Sequence, residues 1–436
     1  MSFEYHIKLV SLQKNIIMRE VIYPNVNEAL NYILKVESQN LLNDEHRAKP
    51  PIVMRPNIGY VPVDSLDYPF SSFINEANDD QFIMTRLQSG RFSLKPNLRN
   101  RKFLFRGQSE YFDDCVPNLY RTNKSYFLDD MIYDQELYIL ILSHPLNQLL
   151  DLGVNLNGRL CRFEVNLYGI AQHYYNRTSL MDFTSDPMAA LFFANTDYDK
   201  DNDTYNPVSK GKIGVLYYYE LDMLNDFSHS PLSVPRLSTI GLQVFPRSEK
   251  QKGFLLNMEK NENMNDTELF PQIHAIKFWQ NEAISNSIYN RFNKDNECLL
   301  FPKDILSHHW KHYNKDKRRV SLQAVRWNKK WNPEESNNNI IKKLSDKYDI
   351  SVRNYQPAFT EDELHEYYVS IRNGFWQDFC DKIYIPGDKK GIIKESLKNV
   401  PKQDCYRWAF EPDIKHTIDY SKGYLLKEYA RFLFPD

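Results

Sequence analysis

The sequence predicts an α+β fold: a mixed sheet core flanked by helices, with an additional mostly helical C-terminal region. Three observations carry this. Short runs rich in Val, Ile, Phe and Tyr, above all IGVLYYYEL at Ile213–Leu221, alternate with helix-length amphipathic segments. Hydrophobic residues make up 42% and aromatic residues 14% of the chain, enough apolar area for folded cores and too much for disorder. At 436 residues the chain exceeds what one core organises, so two or three units are expected.

Residues 1–58 read as an N-terminal strand and helix extension with a linker. Tyr5 to Val10 is strand-like, and Ala29, Leu30, Ile33, Leu34 and Val36 recur at helical spacing. AKPPIVMRPN at 48–57 is a proline-punctuated linker, because each proline lacks a donor and constrains its predecessor. Residues 59–312 form the second unit. Ser71 to Leu87 reads as helix, Lys102 to Arg106 as strand, Leu128 to Leu150 and Arg162 to Tyr175 as helices. A turn and a helix from Pro187 follow, then strands at Ile213–Leu221 and Gly253–Asn257. Residues 313–436 form a third region, basic and aromatic at its start and then helical, notably over Glu361 to Phe379, with a turn at Pro386 and Gly387.

The formal net charge of −2 gives no global signal for nucleic acid or membrane. Cys115, Cys161, Cys298, Cys380 and Cys405 are scattered, odd in number and without metal-ligand spacing, as in a reduced cytoplasmic protein. MSFEYHIKLVSLQKNIIM has no uninterrupted apolar core, and Glu136 to Leu150 is interrupted by His144 and Pro145 and too short to span a bilayer. No Walker-type loop, dinucleotide glycine fingerprint, zinc HExxH pair or GxSxG elbow occurs. His308, His309 and His312 have helical spacing but no acidic or thiol company, so no metal site is expected.

Four stretches carry polar chemistry. FLFRGQSEY at 103–111 ends an apolar run on Arg106 and Gly107. The arginine either closes a core salt bridge or binds an anion, and the glycine lets the backbone leave sharply. In AQHYYNRTSLMDFTSDPMAALFFAN at 171–195, Asp186 and Pro187 read as the cap and first residue of a helix whose apolar face includes Met188, Leu191 and Phe192. Gln172, His173, Arg177, Thr178, Ser179 and Asp182 precede it between two predicted helices. They form either a structural network, with Asp182 fixing a turn and pairing with Arg177, or a ligand site. In RSEKQKGF at 247–254, Arg247, Glu249 and Gln251 alternate and share one face if the segment is extended; an exposed edge strand is the alternative. Finally, Trp310, Trp327 and Trp331 interleave with Lys317, Arg318, Arg319, Arg326, Lys329 and Lys330. That pattern suits single-stranded nucleic acid or a merely solvated face.

Taken in order, FLFRGQSE, VPNLYR (Val116 to Arg121), AQHYYNRTSLMDFTSDPMAALFFA, RSEKQKGF and LLFPKD (Leu299 to Asp304) resemble the FRG domain over residues 59–312. The family's Gly-X-Pro turn is replaced by Tyr175, Asn176 and Arg177, its Thr-Arg by Thr178-Ser179, and its Trp by Phe183. The resemblance implies a bacterial protein of a toxin or phage-defence context, without a settled reaction. The blocks are also similar in order to those of ADP-ribosyltransferases, with NAD as the implied cofactor and nucleotide-binding Arg106.

On that reading Phe105-Arg106-Gly107 is the first element, Thr178-Ser179 the second, and Glu249 or Gln251 the third. Over all readings Arg106, His173, Asp182, Glu249 and Gln251 are the catalytic candidates, and Gly107, Gln108, Gln172, Tyr174, Arg177, Thr178, Ser179 and Arg247 the ligand-binding ones. The weak link of the transferase reading is that the second block reads as helix-turn-helix, not strand. Two alternatives stay open: a hydrolase or nuclease with His173 as base and Asp182 orienting it, and a non-catalytic sensor or binding module. The expected partners are a nucleotide or small molecule, and a protein or nucleic-acid target through 310–331, with no membrane.

Overall fold

The computed structural model describes residues 21–43, 52–55, 59–62, 76–87, 89–121, 128–174, 177–199, 202–209, 211–221, 236–295, 297–308, 319–329, 333–353, 359–411, 418–419 and 425–426. The strand expected at Tyr5 to Val10 lies outside them. Among the described residues, no helix is long and apolar enough to cross a membrane.

Helix α1 (Val26–Leu42) starts where the Asn25 side chain accepts from the amides of Asn27 and Glu28. It buries Ala29, Leu30 and Ile33. Strands β1 (Phe82–Arg86) and β2 (Phe92–Pro96) form an antiparallel hairpin, so the helix expected over 71–87 is not formed at its described end. Phe82, Ile83 and Met84 are buried in succession because both faces of β1 are covered, and such a run has no period to distinguish strand from helix. Inside the proline-rich stretch, Ile52–Arg55 pairs with Gly59–Pro62 as a short hairpin.

β3 (Phe103–Gln108) follows, then α2 (Leu128–Ser143) and α3 (Pro145–Leu152). The single helix expected over 128–150 is thus broken at His144, since Pro145 supplies no amide hydrogen and suits only a first turn. Then come α4 (Leu167–His173), β4 (Leu180–Thr184), α5 (Pro187–Ala194), β5 (Ile213–Glu220), β6 (Leu237–Thr239), α6 (Pro246–Gln251), β7 (Gly253–Asn257) and β8 (Ile273–Trp279).

β4 corrects the helix-turn-helix reading. LMDFT is too short to show alternation against its helical flanks, yet it is a central strand. α6 likewise corrects the extended reading of 247–251. Pro246 opens a helical turn, which Lys252 closes at φ 45°.

Six strands form one sheet in the order β6-β7-β4-β3-β5-β8, every neighbouring pair antiparallel. Paired residues point to the same face, so the register sorts the side chains. Phe103, Phe105, Leu216 and Tyr218 share one face with α1 and α5, packing on Ala29, Ile33, Ala190 and Phe192. Leu104, Met181, Phe183, Tyr217, Tyr219 and Phe254 fill the other. The architecture is α+β.

Beyond the sheet, α7 (Glu282–Phe292), α8 (Leu322–Asn328), α9 (Asn337–Tyr348), α10 (Glu361–Arg372), α11 (Phe375–Asp381), β9 (Ile383–Tyr384) and α12 (Ile392–Lys398) complete the elements used below. One apolar cluster joins Phe82, Leu94, Leu140 and Leu146 to Tyr367, Trp376 and Phe379, and β9 pairs in parallel with β1. Another packs Ile139 and Leu142 of α2 against Val325, Trp327 and Leu344. Cores therefore run continuously across residue 312. Trp327 belongs to this core and is no stacking platform, whereas Trp310, Lys317, Arg318, Lys330 and Trp331 lie outside the described residues.

Candidate functional site

The sheet forks at β3 and β4. These strands share a single ladder pair, Phe105 with Thr184, and then diverge. Alternation places Thr184 and Asp182 on the face that Phe105 and Gly107 share, and Arg106 on the opposite face beside its partner Tyr217. A cleft of about 380 Å³ runs through the fork. Arg106, Gln108, Phe112 and Arg121 line it, as do Gln172, His173, Asp182 and Gln251.

Gly107 has no positive φ, so the sharp exit expected of it is not its role. A Cβ there would lie 1.9 Å from the Ala190 carbonyl oxygen of α5. The glycine is required because a helix backbone crosses the strand in contact. α5 is set there by Asp186, whose side chain accepts from the Met188 amide at 2.9 Å, with Pro187 next.

Arg106 forms no core salt bridge among the described residues. Its Nη1 donates to the Asp182 main-chain carbonyl at 2.9 Å, bridging the fork, and its Nε donates to Gln108 Oε1 at 3.4 Å. Arg121 lies close enough that its guanidinium is held below its ordinary pKa, first by desolvation and then by the Arg106 charge. Its Nε donates to the Val116 carbonyl. Arg121 is not among the site residues that the sequence predicts, although VPNLYR is one of the ordered blocks. At the mouth, Glu110 and Asp197 are matched by Lys212, at 3.0 and 3.6 Å. The cationic excess therefore sits inside, on Arg106 and Arg121.

Across the fork, the Leu180 amide donates to Thr178 Oγ1, and the Thr178 hydroxyl donates to Gln172 Oε1. That fixes the Gln172 amide so that its Nε2 donates to Asp182 Oδ2 at 3.0 Å. Asp182 Oδ1 and His173 Nε2 are buried without a hydrogen-bond partner. Burial pushes the His173 imidazole down, while the Asp182 charge pulls it up and Arg247 pushes it down again. The Gln251 side chain favours the protonated ring; its Nε2 donates to the Leu300 carbonyl.

The remaining sequence candidates lie outside the cleft. Arg247 is fully buried as a strut, donating to the His173 and Pro302 carbonyls and lying 3.6 Å over the Phe301 ring and 3.8 Å from Asp203. Tyr174 is buried and donates to Asp304. Glu249 turns away to Lys382, at 2.7 Å. Arg177 faces Asp130 at 3.7 Å and the Leu119 carbonyl, not Asp182. Thr178 sits behind Gln172, and Ser179 donates to Asn257. Among the described residues no cluster of His, Cys, Asp or Glu has metal-binding geometry.

A family model for the FRG domain matches residues 101–203. The chain carries an FRG domain there, spanning the fork strands, α4 and α5 and containing Arg106, Gln172, His173 and Asp182. No curated protein and no solved structure matches the chain.

Proposed function

We propose that the forked cleft binds a nucleotide through its phosphates and transfers the ADP-ribosyl group of NAD, in a protein of bacterial toxin or phage-defence type. The observation that carries this reading is Arg106, a guanidinium at a strand end, bridged to a main-chain carbonyl and facing a cleft, with no carboxylate partner among the described residues. Arg106 and Arg121 supply planar donors suited to a diphosphate. The Asp182 carboxylate is the acidic group inside the fork, since Glu110 and Asp197 are matched by Lys212 at the mouth and Glu249 by Lys382. It would stabilise positive charge on the ribose as the bond to nicotinamide breaks. The acceptor then bonds to that ribose carbon and gives up its proton.

The test is nicotinamide release from NAD by the full chain with cell extract as acceptor, read by chromatography. Arg106→Ala is expected to abolish binding. Asp182→Asn is expected to lower turnover by about a hundredfold or more while binding persists. Release that survives Arg106→Ala, or none at all, sinks the transfer reading.

A binding module without chemistry is the second reading. It is favoured by the burial of Asp182 Oδ1 and His173 Nε2 away from solvent. Nucleotide binding that depends on Arg106 with no turnover would establish it. The same burial, with the lowered imidazole pKa, weighs against His173 as an open general base of a nuclease.

A further inference from the structure

Phe112 stands at the rim of the cleft and is 53% exposed. A lone exposed phenylalanine is ordinary on a mobile loop. This one is on a pinned loop. The Tyr111 amide donates to the Ile213 carbonyl at 2.7 Å, and the Tyr111 ring lies 3.4 Å from the Lys277 ammonium. Asn265 Nδ2 donates to the Phe112 and Asp113 carbonyls at 2.9 and 3.0 Å. Asn263 Nδ2 donates to the Asp113 carbonyl, and its Oδ1 accepts from the Cys115 amide. Asn265 is itself held, because its Oδ1 accepts from the Tyr217 hydroxyl at 3.0 Å. Tyr217 pairs with Arg106 across the ladder, so the loop is tied to the sheet face that presents the arginine. Two asparagine side chains thus fix the backbone on both sides of an apolar ring that is left about half exposed.

We infer that Phe112 is a stacking platform for a planar heteroaromatic base joined to the phosphates that Arg106 holds. This inference rests on the anion reading of Arg106 and adds the class of group at the mouth. The base lies on the arginine face of the fork, and the far end of the ligand is directed toward Asp182. For NAD this puts adenine at the rim and the nicotinamide ribose inside. Stacking of a base on an aromatic side chain is sequence-tolerant but sensitive to loss of the ring.

The test is calorimetric titration of the full chain with ADP and with inorganic pyrophosphate, which carries the charge without the base. ADP is expected to bind at least about tenfold more tightly than pyrophosphate. Phe112→Ala is expected to remove most of that difference and leave pyrophosphate affinity unchanged. Phe112→Trp should keep ADP affinity, and its fluorescence should be quenched by ADP but not by pyrophosphate. ADP binding that requires Arg106 yet ignores Phe112→Ala would overturn the stacking role while the anion reading stands. Equal loss of ADP and pyrophosphate affinity in Phe112→Ala would also overturn it, by making the residue structural. If neither probe binds the wild-type chain, both readings fall together.

Discussion

Arg106 and Gly107 are chain neighbours with unrelated tasks, because alternation in a strand points them to opposite faces. The arginine serves the cleft and the glycine makes room for α5. Substitutions should therefore separate. Arg106→Lys keeps the charge but loses the planar fork of donors, and is expected to weaken nucleotide binding with an unchanged melting temperature. Gly107→Ala forces a methyl group onto the Ala190 carbonyl, and is expected to destabilise the fold by about 1–3 kcal/mol or more, read by denaturant titration.

His144 makes a third residue-scale case. It is buried among Phe245, Phe359 and Tyr367, and desolvation pushes its pKa down to about 3. The unfolded chain takes up this proton near pH 6.5 while the folded chain does not. Its contribution to stability is therefore complete above that pH and lost as pH falls toward about 3. His144→Gln should remove that dependence, flattening the acid limb of stability by up to about 1.4 kcal/mol per pH unit.

Among elements, β4 and α6 show where local pattern misleads. β4 has five residues between two helices, and its burial is set by β3 and β7 on either side rather than by its own sequence. α6 disperses three residues that an extended chain would align: Arg247 into the interior, Glu249 to Lys382, and Gln251 to the cleft. Glu249→Gln is therefore expected to leave nucleotide binding and turnover unchanged. It should cost less than about 1 kcal/mol of stability, because the Lys382 end of the pair is partly exposed. Loss of turnover in Glu249→Gln would restore it as a catalytic candidate. By contrast, the start of α5 was legible residue by residue. Asp186→Ala is expected to cost about 1 kcal/mol through the lost cap.

At the scale of the molecule, the C-terminal helices share a core with the β1–β2 hairpin and α3. Trp376 and Phe379 are buried in the cluster that holds Phe82 and Leu146, and β9 extends the sheet of β1. The continuity predicts that residues 59–312 expressed alone would expose this cluster and lose cooperative unfolding. Trp376→Ala in the full chain should cost about 3–5 kcal/mol by thermal or chemical denaturation. A fragment ending at residue 312 that melts like the full chain would show the shared core to be dispensable.

Legible in the sequence were the α+β class, a strand read at Lys102 to Arg106 that runs from Phe103 to Gln108 in the fold, one read at Ile213–Leu221 that ends at Glu220, the strand at Gly253–Asn257, and the cap of α5. Each depends on neighbours a few residues apart, through alternation, caps and proline, so each leaves a local trace. What Arg106 faces is set by contacts between distant parts of the chain. Its partner carbonyl at Asp182 is 76 residues away, and the space between them exists because two strands pair once and part. The helical turn of α6 separated Gln251 from Glu249, and packing between distant segments brought in Arg121 and Phe112. No spacing along the chain encodes where a sheet forks.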